Sequence, residues 1–224
     1  RVVKMGENPK KVFNTGCPSV DLARIVDLET KNYYDLLSKN TDLGINFSLE
    51  QKYIVVLQHP DTMEYLDSES QIINTLNAVT SFNLPLVFFW PNIDAGSDTI
   101  SKQLRKLSVN KPNLEIKFIK NLDGLDFLRL LKNCSVLVGN SSVGVRECSY
   151  LGVPVVNIGK RQHHREKSNN LIDVDYKEDE IKKGIEFQLN NKSIKKSNLY
   201  GDGYSSSKIV EILKEINYDY KKYD

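Results

Sequence analysis

The sequence predicts an α/β fold, a parallel β-sheet with helices on both faces. From about residue 52 onward, short apolar runs alternate with longer amphipathic stretches. Each apolar run is nearly continuous, as expected of strands buried on both faces of a parallel sheet. The runs are separated by helix-length segments, so each strand leads to the next through a crossover helix.

In chain order, strands are predicted at 53–57, 84–90, 114–119, 136–138, 153–158 and 171–174. Helices are predicted at about 62–82, 97–108, 122–133, 143–151 and 177–190. The first helix has the clearest pattern: Met63, Leu66, Ile72, Ile73, Leu76 and Val79 recur at helical spacing, with Asp61 and Glu64 placed for a capping box. No internal repeat or low-complexity segment interrupts the alternation.

Composition bounds the function classes. The chain has 224 residues, 40% hydrophobic and 27% charged, enough for a proper buried core. Its formal charge of +2, from 31 basic against 29 acidic residues, is too balanced for a charge-driven nucleic-acid or membrane surface. Lys192, Lys195, Lys196, Lys221 and Lys222 read as solvated surface and tail. Cys17, Cys134 and Cys148 are odd in number, widely spaced and without metal-ligand spacing, which predicts reduced thiols and no metal site. No apolar stretch approaches the roughly 20 residues that span a bilayer, and the start has no signal-peptide pattern. A cytoplasmic protein is expected. The chain begins at Arg1, and the strand-like Val2-Val3 runs into a charged turn with no earlier element to pair with, so a fragment is expected.

In open α/β sheets, ligands bind outside the carboxyl ends of the strands. Four predicted strands empty into polar clusters there: Gln58-His59-Pro60, Pro91-Asn92-Ile93-Asp94-Ala95-Gly96-Ser97, Gly139-Asn140-Ser141-Ser142 and Gly159-Lys160-Arg161-Gln162. All four should share one rim. The strongest signal is the turn from Gly139 through Glu147. Small residues between a strand and a helix let backbone N–H groups face an anion. Ser141 and Ser142 add hydroxyl donors suited to a pyrophosphate, and Glu147 can accept from ribose hydroxyls. Helix capping by Asn or Ser is the simpler reading of the same turn. No Walker loop and no Gly-x-Gly-x-x-Gly occurs. Arg161, and less convincingly Arg165, follows a strand and can pair with phosphate oxygens. His59 can shuttle a proton or carry charge beside a phosphate, or it can be a structural residue. His163 and His164 read as loop residues.

The stretch from Gly139 to Gln162 resembles the UDP-binding segment of UDP-N-acetylglucosamine 2-epimerases. The Pro91–Ser97 and Gln58–Pro60 clusters resemble the hydrolysing branch of that family. Phe13-Asn14-Thr15-Gly16-Cys17-Pro18-Ser19-Val20-Asp21 and Tyr200-Gly201-Asp202-Gly203 are similar to family segments as well. The resemblance implies one Rossmann-like lobe of a two-lobed GT-B type enzyme. Residues 1–48 would be a connector and remnant of the first lobe, 49–203 the UDP-binding lobe, and 204–224 a closing helix and tail. The first lobe would be missing, and with it the family's carboxylates for acid–base work.

Residue by residue, the resemblance implies diphosphate contacts from Ser141 and Ser142, ribose contacts from Glu147, and phosphate or sugar contacts from Arg161. It makes His59 an active-site residue, puts the uracil near the backbone of Leu122, and adds Asn92 and Asp94 to the UDP-sugar site. The implied reaction removes the C2 proton, expels UDP to leave a 2-acetamidoglucal, and adds water to give N-acetylmannosamine. That route uses no metal or redox cofactor. The implied partner is a UDP-sugar, and the full-length enzyme is expected to be a homo-oligomer. A UDP-diacetamido sugar is an alternative substrate, and a GT-B glycosyltransferase donor lobe an alternative function. Lys102 and Arg105 fall in the region resembling a regulatory segment, but read as solvated surface charge.

Overall fold

A computed structural model describes residues 1–29, Leu37 and residues 43–216. Lys221, Lys222 and the rest of the predicted tail beyond 216 lie outside the described residues, as do residues 30–36 and 38–42 of the expected connector.

Among the described residues, six strands form one sheet: β1 (Ile54–Leu57), β2 (Leu86–Phe89), β3 (Ile116–Ile119), β4 (Val136–Gly139), β5 (Val155–Ile158) and β6 (Leu171–Val174). The order is β3-β2-β1-β4-β5-β6, and every pairing between them is parallel. This is the doubly wound Rossmann order, whose direction reverses between β1 and β4. Residues 43–45 cover the β3 edge: the Ile45 and Phe118 N–H groups donate to the Ile116 and Leu43 carbonyls at 2.8 and 2.9 Å. An edge covered in this way offers fewer free backbone groups to another chain.

Strand parity explains the two cores. Side chains alternate between faces, so Val55, Leu57, Val87, Phe89, Leu137 and Val155 point to one side. There they pack on α1 (Pro18–Leu28), α4 (Gly124–Asn133) and α6 (Glu147–Leu151). Ile54, Val56, Leu86, Phe88, Val136, Val138, Val156 and Ile158 point to the other side. These pack on α2 (Ser68–Thr80), α3 (Ser97–Asn110) and α7 (Glu178–Asn190). The α1 helix also packs against α8 (Ser205–Glu215), whose first turn is capped by Asp21: its carboxylate accepts from Ser205 and Ser206 N–H at 2.9 and 2.7 Å. Helices on both faces and a parallel sheet are thus present as predicted.

Two predicted helices need correction. The first begins at Ser68, not near 62, and no capping box forms. The Asp61 carboxylate instead accepts from Met63 N–H in a local turn at 3.0 Å, while Glu64 accepts from Gln71 and pairs with Lys160. Met63 and Leu66 are therefore 89% and 82% exposed, and the helical spacing that included them was fortuitous. The helix predicted at 143–151 is broken in two, α5 (Ser142–Val145) and α6, at Arg146, whose ψ of −78° departs from helical geometry. Cys134 and Cys148 are buried, and Cys17 is half-buried. Among the described residues, no helix is long and apolar enough to cross a membrane.

Candidate nucleotide site

Because β1, β2, β4 and β5 run parallel, their four polar loops emerge on one rim, with His59 and Asn140 flanking the point where strand order reverses. A single glycine makes this junction possible. Gly139 has φ +147°, and a Cβ there would lie 2.0 Å from the Leu57 carbonyl oxygen. That close approach lets Asn140 reach across to β1. Its Oδ1 accepts from His59 N–H and its Nδ2 donates to the His59 carbonyl, both at 2.8 Å. Gln162, from the loop after β5, donates to the Asn140 carbonyl at 2.9 Å. Asn140 and Gln162 were not assigned roles from sequence; for Asn140, an amide residue directly after a strand was the available signal.

The His59 side chain is buried at 6% exposure. Its Nδ1 accepts from Asn92 N–H at 3.3 Å, which leaves the ring proton of the neutral form on Nε2. Burial, and then the positive charge of Arg161, push the imidazole down to about 4, with Asp94 acting in the opposite direction. Both effects favour the uncharged imidazole at neutral pH. Arg161 is exposed, as surface arginines usually are, yet lies close enough to His59 to act on it. The structure thus gathers His59, Asn92, Asp94 and Arg161. It adds Tyr176, whose ring packs so closely over Gly159 that a Cβ there would lie 2.3 Å away. Nothing in its sequence context marked Tyr176 as a rim residue.

A second group forms around the broken helix. The Ser141 hydroxyl accepts from Val143 N–H at 3.4 Å, so it caps α5 and retains its own proton for donation. The α5 segment is only one turn, so few peptide dipoles align there. Arg146 donates to Ser142 Oγ at 3.1 Å and to Glu147 Oε1 at 3.4 Å. The other Glu147 oxygen is buried without a hydrogen-bond partner. Arg146 was missed because surface arginines are common and its neighbours depend on the helix break. Leu122 precedes α4, half-buried against the core. Arg165, His163 and His164 are exposed, the two imidazoles stacked on each other. Lys102 and Arg105 are exposed on α3, with the Arg105 guanidinium 5.8 Å from the Trp90 ring centre.

The segments around Cys17 and Tyr200 also meet. Cys17 N–H donates to the Tyr200 carbonyl at 2.7 Å, and Arg24 Nε donates to the Gly203 carbonyl at 2.9 Å. A cleft of about 500 Å³ opens beside this junction, lined in part by Asn14, Cys17, Tyr200, Asp202 and Lys208.

The profile of the protein family described as UDP-N-acetylglucosamine 2-epimerase matches residues 1–214. The chain belongs to this family. Within the UDP-N-acetylglucosamine 2-epimerase family, it is 32% identical over 216 residues to the UDP-N,N'-diacetylbacillosamine 2-epimerase (hydrolyzing) of Legionella pneumophila, a match covering 96% of this chain and 55% of the relative. It is 31% identical over 233 residues to the polysialic acid biosynthesis protein P7 of Escherichia coli, covering 100% of this chain and 57% of that protein. The fold is similar to the UDP-GlcNAc 2-epimerase of Neisseria meningitidis bound to UDP-GlcNAc (TM-score 0.70, 15% identity, 96% of this chain and 58% of that one). It is also similar to the Methanocaldococcus jannaschii enzyme in complex with UDP-GlcNAc and UDP (TM-score 0.68, 21% identity, 95% and 57%). The chain thus spans a little over half the length of these relatives, as one Rossmann-like lobe of the GT-B architecture.

Proposed function

We propose that this chain is the nucleotide-gripping part of a hydrolysing UDP-2-acetamido-sugar 2-epimerase, with UDP-N-acetylglucosamine as the first substrate to test. The observation that carries the reading is the pair of polar groups: His59 held by Asn140 at the strand-order reversal, and Glu147 with one buried oxygen unpartnered beside Ser142. Ser141, Ser142 and Arg161 would receive the diphosphate, Glu147 the ribose hydroxyls, and the chain near Leu122 the uracil. Asn92 and Asp94 would border the sugar.

Elimination removes the C2 proton and breaks the C1–O bond, so UDP leaves as an anion and the sugar becomes a 2-acetamidoglucal. Water then returns a hydroxyl to C1 and a proton to C2 on the opposite face, giving N-acetylmannosamine. The C2 proton is weakly acidic, so the leaving diphosphate needs help from donors that are already in place. Neutral His59 is oriented to donate from Nε2, and a diphosphate beside it would raise its proton affinity, countering the field of Arg161. The base for C2 would come from a first lobe, of which residues 1–48 would be the connector and remnant. This role also suits a cytoplasmic enzyme that assembles as a homo-oligomer and supplies sialic-acid-type synthesis.

The similarity to the Legionella pneumophila protein favours a second reading in which the sugar is a 2,4-diacetamido one. Incubating the full-length protein in D₂O with each UDP-sugar and following the products by NMR tests both. N-acetylmannosamine carrying deuterium at C2, together with UDP, supports the first reading. Turnover of only the diacetamido sugar selects the second, and no release of UDP from either substrate rejects the enzyme assignment.

A further inference from the structure

Arg146 stands at the break between α5 and α6, and its guanidinium touches three different parts of the site. Nη2 donates to Ser142 Oγ at 3.1 Å and to Glu147 Oε1 at 3.4 Å, while Nη1 lies 3.8 Å from Cys17 Sγ. Cys17 is itself pinned through its N–H to the Tyr200 carbonyl. One side chain therefore joins the residue proposed for the diphosphate, the residue proposed for the ribose and the segment that enters α1.

The Glu147 side chain is only 8% exposed, and its Oε2 is buried without a donor. A carboxylate oxygen left in that state is costly, so it marks a place where a donor belongs. Arg146 already occupies Oε1, which leaves Oε2 for the incoming group. The broken helix has a consequence here. In a continuous helix, Arg146 and Glu147 would point about 100° apart, as neighbours in sequence do. At the break, where Arg146 has ψ −78°, the adjacent cation and carboxylate are in contact instead.

We propose that Arg146 is a positioning residue for nucleotide recognition, one that sets the Glu147 carboxylate so that its free oxygen reads the ribose hydroxyls while it orients Ser142 toward the diphosphate. This rests on the nucleotide reading above. The planar fork is required because one nitrogen must serve two acceptors while the other faces Cys17, a geometry that a lysine ammonium on a flexible stem does not reproduce.

The test is calorimetric titration of UDP and 2′-deoxy-UDP into the wild-type chain, R146Q, R146K, E147Q and the R146Q/E147Q double variant, each checked for cooperative thermal unfolding. Wild type should prefer UDP over the deoxy analogue. R146Q and R146K should each weaken UDP roughly tenfold and narrow that preference, the scale of one lost hydrogen bond to a charged group. The preference for UDP over the deoxy analogue should be no smaller in the double variant than in E147Q alone, because Arg146 acts on the ribose only through Glu147. If R146Q does not fold, R146K carries the same comparison. A further, multiplicative loss of ribose preference in the double variant, or a full ribose preference surviving in R146K, would overturn the positioning role while leaving UDP binding intact. Failure of the wild type to bind UDP would instead overturn the nucleotide reading and this proposal with it.

Discussion

Asn140, at the end of β4, holds the backbone of His59, at the end of β1, through both of its amide atoms, accepting from the N–H and donating to the carbonyl at 2.8 Å each. The two residues are neighbours across the central strand pair where the order of the sheet reverses, and both are buried. The side-chain amide takes the place of one more rung of backbone pairing and ends the sheet at a defined site residue.

Replacing Asn140 with Ala should therefore destabilise the fold by about 2–4 kcal/mol, because two backbone groups of His59 lose their partners in a buried setting. Urea unfolding measures this directly. A change below about 0.5 kcal/mol, the scale of ordinary surface substitutions, would mean that the clamp is incidental.

Gly139→Ala should be at least as severe, roughly 3 kcal/mol or more. The new Cβ would face the Leu57 carbonyl at 2.0 Å, with φ at +147°, so the backbone of either β1 or β4 must move. Equal midpoints and slopes for wild type and variant in denaturant would contradict the close approach.

The depressed His59 imidazole makes stability depend on pH. An unfolded histidine titrates near 6.5, whereas folded His59 is held to about 4. Between those values the unfolded chain binds a proton that the folded chain does not, so the His59 contribution is complete above about pH 6.5 and declines as pH falls. By pH 4 and below, the loss should approach about 3 kcal/mol. His59→Gln should lose less stability than wild type between pH 7 and 4.5, and identical losses in both proteins would show that His59 is not the responsible group.

Glu147→Ala should weaken UDP by about 1–3 kcal/mol in calorimetry, the usual scale when a charged hydrogen-bond acceptor is removed. Unchanged UDP affinity would reject the ribose role.

In the complete enzyme, His59→Asn should lower kcat by roughly 10²-fold or more, as for general acid–base groups. UDP affinity and Tm should change little at neutral pH, since the Asn140 clamp grips the backbone of residue 59. A destabilised variant with full activity per folded molecule would return His59 to a structural role.

The fold class and the rim were legible because their signals are local. The alternation of apolar runs and amphipathic stretches located all six described strands to within a few residues, and their parallel direction put His59, Asn92, Ser141, Ser142 and Arg161 on one edge. The start of α2 was not legible. Met63 and Leu66 have helical spacing, but Asp61 closes a turn on Met63 and Glu64 meets Lys160 from another loop. The break at Arg146 was hidden for a related reason, since residues 143–151 read as one helix and the interruption shows only in the Arg146 backbone and in what its side chain touches.

By itself, the sequence determined the doubly covered parallel sheet, the run of small and polar residues after β4, and the family to which these belong. Periodicity and turn chemistry act over a few residues, and strand direction follows from helical crossovers. Only the tertiary structure decided that Asn140 clamps His59, that Arg161 helps keep that imidazole neutral, and that Arg146 joins Ser142, Glu147 and Cys17. Hydrogen bonds, burial and charge fields depend on distance in space, and the partners that set them here lie up to 129 residues apart in the chain.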